Sequence, residues 1–134
     1  MNPKISNGIK IIVETNYQPE FSDLSNSEFM FAYKITIENN NNFPVKLLSR
    51  YWNIFDSNGT YREVEGEGVV GVQPVIMPDN HYQYISGCNF KSEFGKMEGK
   101  YVMENLSNNQ IFQVDIPSLD RKSTRLNSSH LVIS

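Results

Sequence analysis

The sequence has very few of the residues that build disulfides, zinc sites or histidine-rich metal sites. Of its 134 residues one is cysteine and two are histidines. The single thiol, Cys88, excludes an internal disulfide framework and a cysteine-rich zinc site, and it agrees with a reducing compartment. Because His81 is the only histidine before residue 120, a histidine-rich transition-metal site cannot be built. We expect no bound metal and no cofactor.

Long apolar runs and clusters of basic residues are also absent. No run of about 18 apolar residues occurs, and the first residues lack the apolar segment of a secretory signal. Twelve lysines and arginines against 15 aspartates and glutamates give a formal net charge of −3. This balance argues against a protein held on nucleic acid through phosphate contacts. We therefore expect a cytoplasmic protein that neither binds nucleic acid nor inserts into a membrane.

Helical periodicity of convincing length is missing, whereas alternation with period two recurs along the chain. It is clearest at 31–38, where Phe31, Tyr33, Ile35 and Ile37 alternate with smaller or more polar residues. The predicted strands are residues 9–14, 31–38, 46–55, 60–64, 81–87, 100–104 and 111–116. About seven short strands separated by turn residues predict an all-β, immunoglobulin or fibronectin type III-like antiparallel β-sandwich. A small barrel is the alternative.

The last fifteen residues, 120–134, differ in character from the rest of the chain. The segment DRKSTRLNSSH at 120–130 resembles the in-frame translation of a sequencing adapter. We interpret 120–134 as a non-native tail and 1–119 as the domain, with a natural polar tail as the alternative. Re-sequencing the source locus distinguishes the two.

Residues 66–71, with the sequence GEGVVG, match the G-x-G-x-x-G pattern of dinucleotide-binding folds. In those folds the motif opens a helix whose N-terminal amides hold the pyrophosphate. Here Val69 and Val70 are β-branched and Pro74 follows closely, so no helix is expected. We interpret the segment as a loop between strands.

The glycines of this loop supply positive φ angles or allow close approach of the backbone. Alternatively, successive exposed amides form a nest for a small anion, with a nearby arginine or lysine as counter-charge. Arg50 and Trp52 share a strand face by period two, which is typical of a packing contact or of an anion or partner site. The candidate ligand or partner site is therefore Gly66, Gly68, Gly71, Arg50 and Trp52.

Two other candidates have simpler structural explanations. The carboxylates Glu63, Glu65 and Glu67 lie on one side of an extended segment, where they could together bind a hard cation. A solvent-exposed strand face accounts better for three glutamates at alternate positions. Cys88 has no evident base beside it, so we expect a small buried side chain rather than a nucleophile. We expect no catalytic residues.

Five segments of the chain stand out for their specific order and spacing. They are FAY at 31–33, LLSRYWNI at 47–54, VEGEGVVGVQP at 64–74, YISGC at 84–88 and GKMEGKYVM at 95–103. Together they resemble the bacterial ApaG family. The resemblance covers roughly residues 9–117. The chain departs from the family at Asp79, where a glycine usually follows the proline, and at its end, where the adapter-like tail replaces the family's last strand.

The resemblance implies a fibronectin-type β-sandwich with no established enzymatic activity. Bacterial members of the family are linked to cobalt and magnesium efflux, and similar domains in eukaryotic F-box and polymerase-delta-interacting proteins look like interaction modules. The resemblance thus implies a non-catalytic binding domain with an unidentified protein partner, as a monomer or homodimer. The alternative is an enzyme or regulator of nucleotides or phosphate esters, related to diadenosine tetraphosphate, that acts through the glycine-rich loop.

Overall fold

The structure is a computed structural model that describes residues 4–18, 22, 29–57, 59–90 and 94–122. Within these ranges the chain forms nine β-strands and no helix. The strands are β1 Lys4–Ser6, β2 Ile9–Tyr17, β3 Phe29–Asn39, β4 Val45–Asp56, β5 Tyr61–Glu67, β6 Val75–Ile76, β7 His81–Phe90, β8 Phe94–Asn105 and β9 Gln110–Lys122. Nothing in this part of the chain is a helix long and apolar enough to cross a membrane.

All seven predicted strands are present, as β2 to β5 and β7 to β9, so the all-β prediction is confirmed. The short strands β1 and β6 were not predicted. Strand β9 continues beyond the predicted end at residue 116 and pairs with β8 as far as Lys122, opposite Phe94. Residues 123–134 lie outside the described part of the chain, and the non-native origin of 120–134 stays a prediction.

The strands form two antiparallel sheets that pack face to face. One sheet has the order β1-β2-β3-β7, and the other has the order β5-β4-β8-β9 with β6 also paired to β4. Alternate residues of β2 and β3, such as Ile11 and Ile35, are completely buried between the sheets, as are Leu47 of β4 and Tyr101 of β8. The fold is therefore the predicted β-sandwich.

One side of the sandwich is closed by contacts between the sheets. Strand β9 lies against β1 and β2, the side chain of Asn7 donates to the Gln113 carbonyl at 3.1 Å, and Lys4 pairs with Asp115 at 3.9 Å. The opposite side lies between the edge strands β5 and β7, and a cleft opens there.

A β-bulge in β4 decides which residues of that strand face the cleft. The pairing with β8 shifts register between Leu47 and Ser49. Because alternation has a period of two, one extra residue moves every following side chain to the other face. Leu47 points into the core, and after the bulge the inward residues are Arg50, Trp52 and Ile54. Without the bulge Arg50 would face solvent.

Candidate functional site

The glycine-rich segment ends in a tight hairpin turn formed by residues 69–72. The Val69 amide donates to the Val72 carbonyl at 2.8 Å, and the Val72 amide donates back to Val69 at 3.0 Å. The two central residues have positive φ, 47° at Val70 and 79° at Gly71. This is the type I′ geometry that matches the twist of paired strands. Glycine is ordinary at such a position, whereas a β-branched valine there is strained.

The other two glycines of the motif are required by close contacts. Gly68 has a φ of +60°, and a Cβ atom there would lie 1.9 Å from the Val72 carbonyl oxygen. Gly66 lies in β5 opposite Arg50, and a Cβ atom there would lie 3.0 Å from Nη1 of the guanidinium. The interpretation as a strand-connecting loop with positive φ is confirmed for residues 68–71, whereas Gly66 and Glu67 belong to β5; no helix begins there.

Most amides of this loop already donate within the fold. The Gly68 amide donates to the Leu48 carbonyl at 2.8 Å, in addition to the paired amides of Val69 and Val72. Arg50 donates from Nη1 to the carbonyls of Glu67 at 3.2 Å and Gly68 at 3.0 Å. The guanidinium therefore supports the base of the hairpin, and three of the amides that an anion nest would use are occupied.

Trp52 belongs to the core. Its side chain is 2% exposed, and its ring meets the Tyr33 ring edge-on with centroids 5.9 Å apart. Gly99 on β8 makes room for the indole, since a Cβ atom there would lie 2.6 Å from Cε3. Arg50 and Trp52 share a face as predicted, but Trp52 packs between the sheets while Arg50 reaches the hairpin.

Four exposed apolar side chains lie within or just after the glycine motif, and we call them the apolar tip. They are Val70, Val72, Val75 and Met77, and each is about half exposed or more, with Val70 at 61%. Sequence reasoning overlooked them, although the run VVGVQPVIM at 69–77 is the most apolar loop segment of the chain. The loop that was predicted as a ligand or partner site thus carries apolar rather than charged side chains outward.

The three glutamates of β5 lie on the outer face of the sheet. Glu63 accepts hydrogen bonds from the Tyr51 hydroxyl at 3.1 Å and the Tyr61 hydroxyl at 2.8 Å. Glu65 and Glu67 are exposed on the same face. Within the described ranges, no three or more His, Cys, Asp or Glu residues are grouped so that they could hold a metal ion.

The cysteine lies at the inner face of β7, beside an arginine from the other sheet. Arg62 of β5 donates to the Cys88 sulfur at 3.4 Å and to the Asn89 carbonyl, so it bridges the two edge strands. Burial raises the pKa of the Cys88 thiol to about 11, although Arg62 acts in the opposite direction. The thiol is therefore protonated near neutral pH and is a poor nucleophile.

The model of the ApaG domain family matches residues 19–105. Protein ApaG of Agrobacterium fabrum is 41% identical over 122 residues, which is 91% of this chain and 93% of that protein. Protein ApaG of Brucella anthropi is also 41% identical, over 114 residues, which is 85% of this chain and 87% of that protein.

Solved structures agree with this assignment. A Bordetella pertussis protein solved as an ApaA protein has a TM-score of 0.82 and 35% identity, over 87% of this chain and 94% of that one. A more distant likeness, to the C-terminal domain of wzt with a TM-score of 0.53 and 9% identity, concerns the fold alone. The sequence matches and the shared β-sandwich together establish that the chain belongs to the ApaG family.

Proposed function

We propose that this chain is a non-catalytic binding domain that contacts a protein partner through the apolar tip, and that this contact serves cobalt and magnesium homeostasis. The metal role rests on the link between bacterial ApaG proteins and cobalt and magnesium efflux. The contact surface rests on the geometry of the glycine-rich hairpin.

The observation that carries the proposal is the strained and exposed Val70. Its φ of 47° is unfavourable for a β-branched residue, and asparagine is the usual residue at this position of a type I′ turn. The side chain is 61% exposed, so it gains little from packing within the fold. Strained residues and exposed apolar groups are typical of binding surfaces. Val72, Val75 and Met77 are further exposed apolar side chains in the same segment of the chain.

The nucleotide or phosphate-ester alternative has less support at this loop. A phosphate held by the hairpin would need free backbone amides, and the amides of Gly68, Val69 and Val72 donate to carbonyls instead. The apolar character of Val70 and Val72 also suits a protein surface better than a phosphate.

The test is a Val70→Asn variant in a strain that lacks its own ApaG gene. Asparagine suits the turn, so the fold is kept while the apolar contact is lost. We expect Val70→Asn to lose most of the resistance to cobalt that the unmodified chain restores, and its midpoint of urea unfolding to stay the same or rise. Ile111→Asn is the matched control, because Ile111 is 57% exposed but lies on β9.

Crosslinking identifies the partner directly. A photo-crosslinking residue at position 70 is expected to capture one specific protein in cells, and the same residue at position 111 is expected not to capture it. The proposal is wrong if Val70→Asn restores full cobalt resistance, or if Ile111→Asn is equally damaging.

A further inference from the structure

The cleft between β5 and β7 is separate from the apolar tip and has a different chemical character. It has a volume of about 300 Å³, which is near the lower end of the range for small-molecule sites. It opens on the side of the sandwich where β9 and β1 do not close the two sheets. Its walls come from both sheets, with Arg50, Trp52 and Arg62 on one side and Tyr33 and Ser86 on the other.

Among the described residues, the cleft is lined by two arginines and by no aspartate or glutamate. Neither guanidinium has a carboxylate within salt-bridge distance among the described residues. Asp56 acts electrostatically on the Cys88 thiol but does not line the cleft. In a chain with a net charge of −3, two cations therefore face one cleft whose described lining holds no carboxylate.

Both arginines keep N–H groups that can bind a ligand. A guanidinium has five N–H donors. Arg50 uses Nη1 for the carbonyls of Glu67 and Gly68, and Arg62 uses Nη2 for Cys88 and Asn89. These bonds hold each side chain in place and leave the other guanidinium nitrogens free to bind an oxyanion. The planar guanidinium can donate two parallel hydrogen bonds to the oxygens of a carboxylate or phosphate.

Two features of the backbone bring Arg50 into the cleft. The bulge between Leu47 and Ser49 turns it inward. The missing side chain at Gly66 leaves space for it, because a Cβ atom would lie 3.0 Å from Nη1 and 3.2 Å from Cζ. The half-buried guanidinium therefore fits into the cleft without a steric clash.

The remaining walls are suited to an amphipathic molecule. The hydroxyls of Tyr33 and Ser86 add polar atoms at the β3 and β7 side. Val64 of β5 supplies partly exposed apolar surface, and Trp52 of β4, which is 2% exposed, lies at the floor of the cleft. A ligand that fills this space would need a charged group for the arginines and an apolar part for the valine.

We propose that this inter-sheet cleft binds a small organic anion, with Arg50 and Arg62 holding its phosphate or carboxylate group and Val64 contacting its apolar part above the floor formed by Trp52. The site needs no partner protein, and it shares with the apolar tip only Arg50, which also supports the base of the hairpin.

The experiment follows backbone amide shifts of the full ¹⁵N-labelled chain during titration with phenyl phosphate, benzoate and inorganic phosphate in a phosphate-free buffer. We expect saturable binding of phenyl phosphate or benzoate, with the largest shifts at Ser86, Gly87 and Asn89. The preferred anion distinguishes a phosphate from a carboxylate ligand. Inorganic phosphate, which lacks the apolar part, is expected to bind at least tenfold more weakly than phenyl phosphate, a difference of about 1.4 kcal/mol.

The variant is Arg62→Gln, with Lys10→Gln as the matched control. Lys10 lies on the outer face of β2, so its replacement removes the same charge away from the cleft. We expect Arg62→Gln to weaken binding at least tenfold and Lys10→Gln to change it less than twofold. Arg62→Lys keeps the positive charge but not the planar set of N–H donors. We therefore expect its loss of affinity for the anion to lie between those of Arg62→Gln and Lys10→Gln. Thermal unfolding of each variant reports whether it is folded.

The proposal is overturned if neither phenyl phosphate nor benzoate saturates any shift at millimolar concentration. It is equally overturned if folded Arg62→Gln binds as tightly as the Lys10→Gln control, or if the shifts map to the hairpin at 69–72 and leave Ser86 and Gly87 unmoved.

Discussion

Single residues of the glycine-rich hairpin differ in how strictly the fold requires them. Gly68 and Gly71 both have positive φ, at 60° and 79°. A Cβ atom at Gly68 would collide with the Val72 carbonyl, whereas a Cβ atom at Gly71 would meet nothing within 4 Å. The first glycine is therefore required by both conformation and space, and the second by conformation alone.

Alanine substitution separates these two requirements. We expect Gly71→Ala to lower the free energy of unfolding by about 1 to 2 kcal/mol, the cost of a left-handed conformation for a residue with a Cβ atom. Gly68→Ala is expected to cost at least about 1 kcal/mol more, because the Val72 backbone must also move. Urea unfolding of the two variants measures both values, and equal losses would contradict the assignment of a steric role to Gly68.

Single side chains also decide how secondary-structure elements are joined. Asn39, at the end of β3, is completely buried. Its Nδ2 donates to the carbonyls of Phe43 at 2.8 Å and Ile76 at 3.0 Å. Its Oδ1 accepts from the Asn41 amide at 3.0 Å. One side chain therefore connects β3, the turn that leads into β4, and the short strand β6.

We expect Asn39→Asp to destabilise the domain more than Asn39→Ala, although aspartate has nearly the same shape. The carboxylate cannot donate, and it would face the carbonyl oxygens of Phe43 and Ile76 in a buried position. Alanine loses the same bonds without adding a charge, at about 2 to 4 kcal/mol for several buried hydrogen bonds. Chemical denaturation at neutral pH ranks the variants, and an aspartate variant as stable as the unmodified chain would show that Asn39 does not connect these elements.

The sequence predicts the long strands but not the features that build the cleft. Period-two alternation over eight or more residues is a local signal, which is why β3 was found with nearly correct ends. Strands of two or three residues, such as β6 and β1, are too short to show alternation. The bulge at Leu48 depends on pairing with β8, and the bridge from Arg62 to Cys88 depends on how the two sheets approach each other. These are long-range properties that no local pattern encodes.

The core of the whole molecule contains ionisable groups that must stay neutral. The hydroxyls of Tyr84 and Tyr101 are hydrogen-bonded to each other between the two sheets. Burial raises the pKa of both phenols above the usual value of 10.0. Burial also raises the pKa of the Cys88 thiol from 9.0 to about 11. In each case the folded state favours the protonated form.

We expect the free energy of unfolding to be independent of these groups below about pH 9 and to fall steadily above it. The folded state retains protons that the unfolded state releases, so stability decreases as pH rises through this range. Cys88→Ala is expected to reduce the slope between pH 9 and 11, the interval set by the two thiol pKa values. Urea unfolding at successive pH values measures the slope, and a flat profile up to pH 11 would contradict the burial of these groups.

The position of β5 at the edge of its sheet has a consequence for how copies of the chain meet. An unpaired strand edge can template pairing with an identical edge from another molecule. Here Glu63, Glu65 and Glu67 project from alternate positions of that edge strand. Two copies aligned along β5 would bring two rows of carboxylates together, and the repulsion opposes stacking into fibrils. High salt that screens these charges would remove this protection.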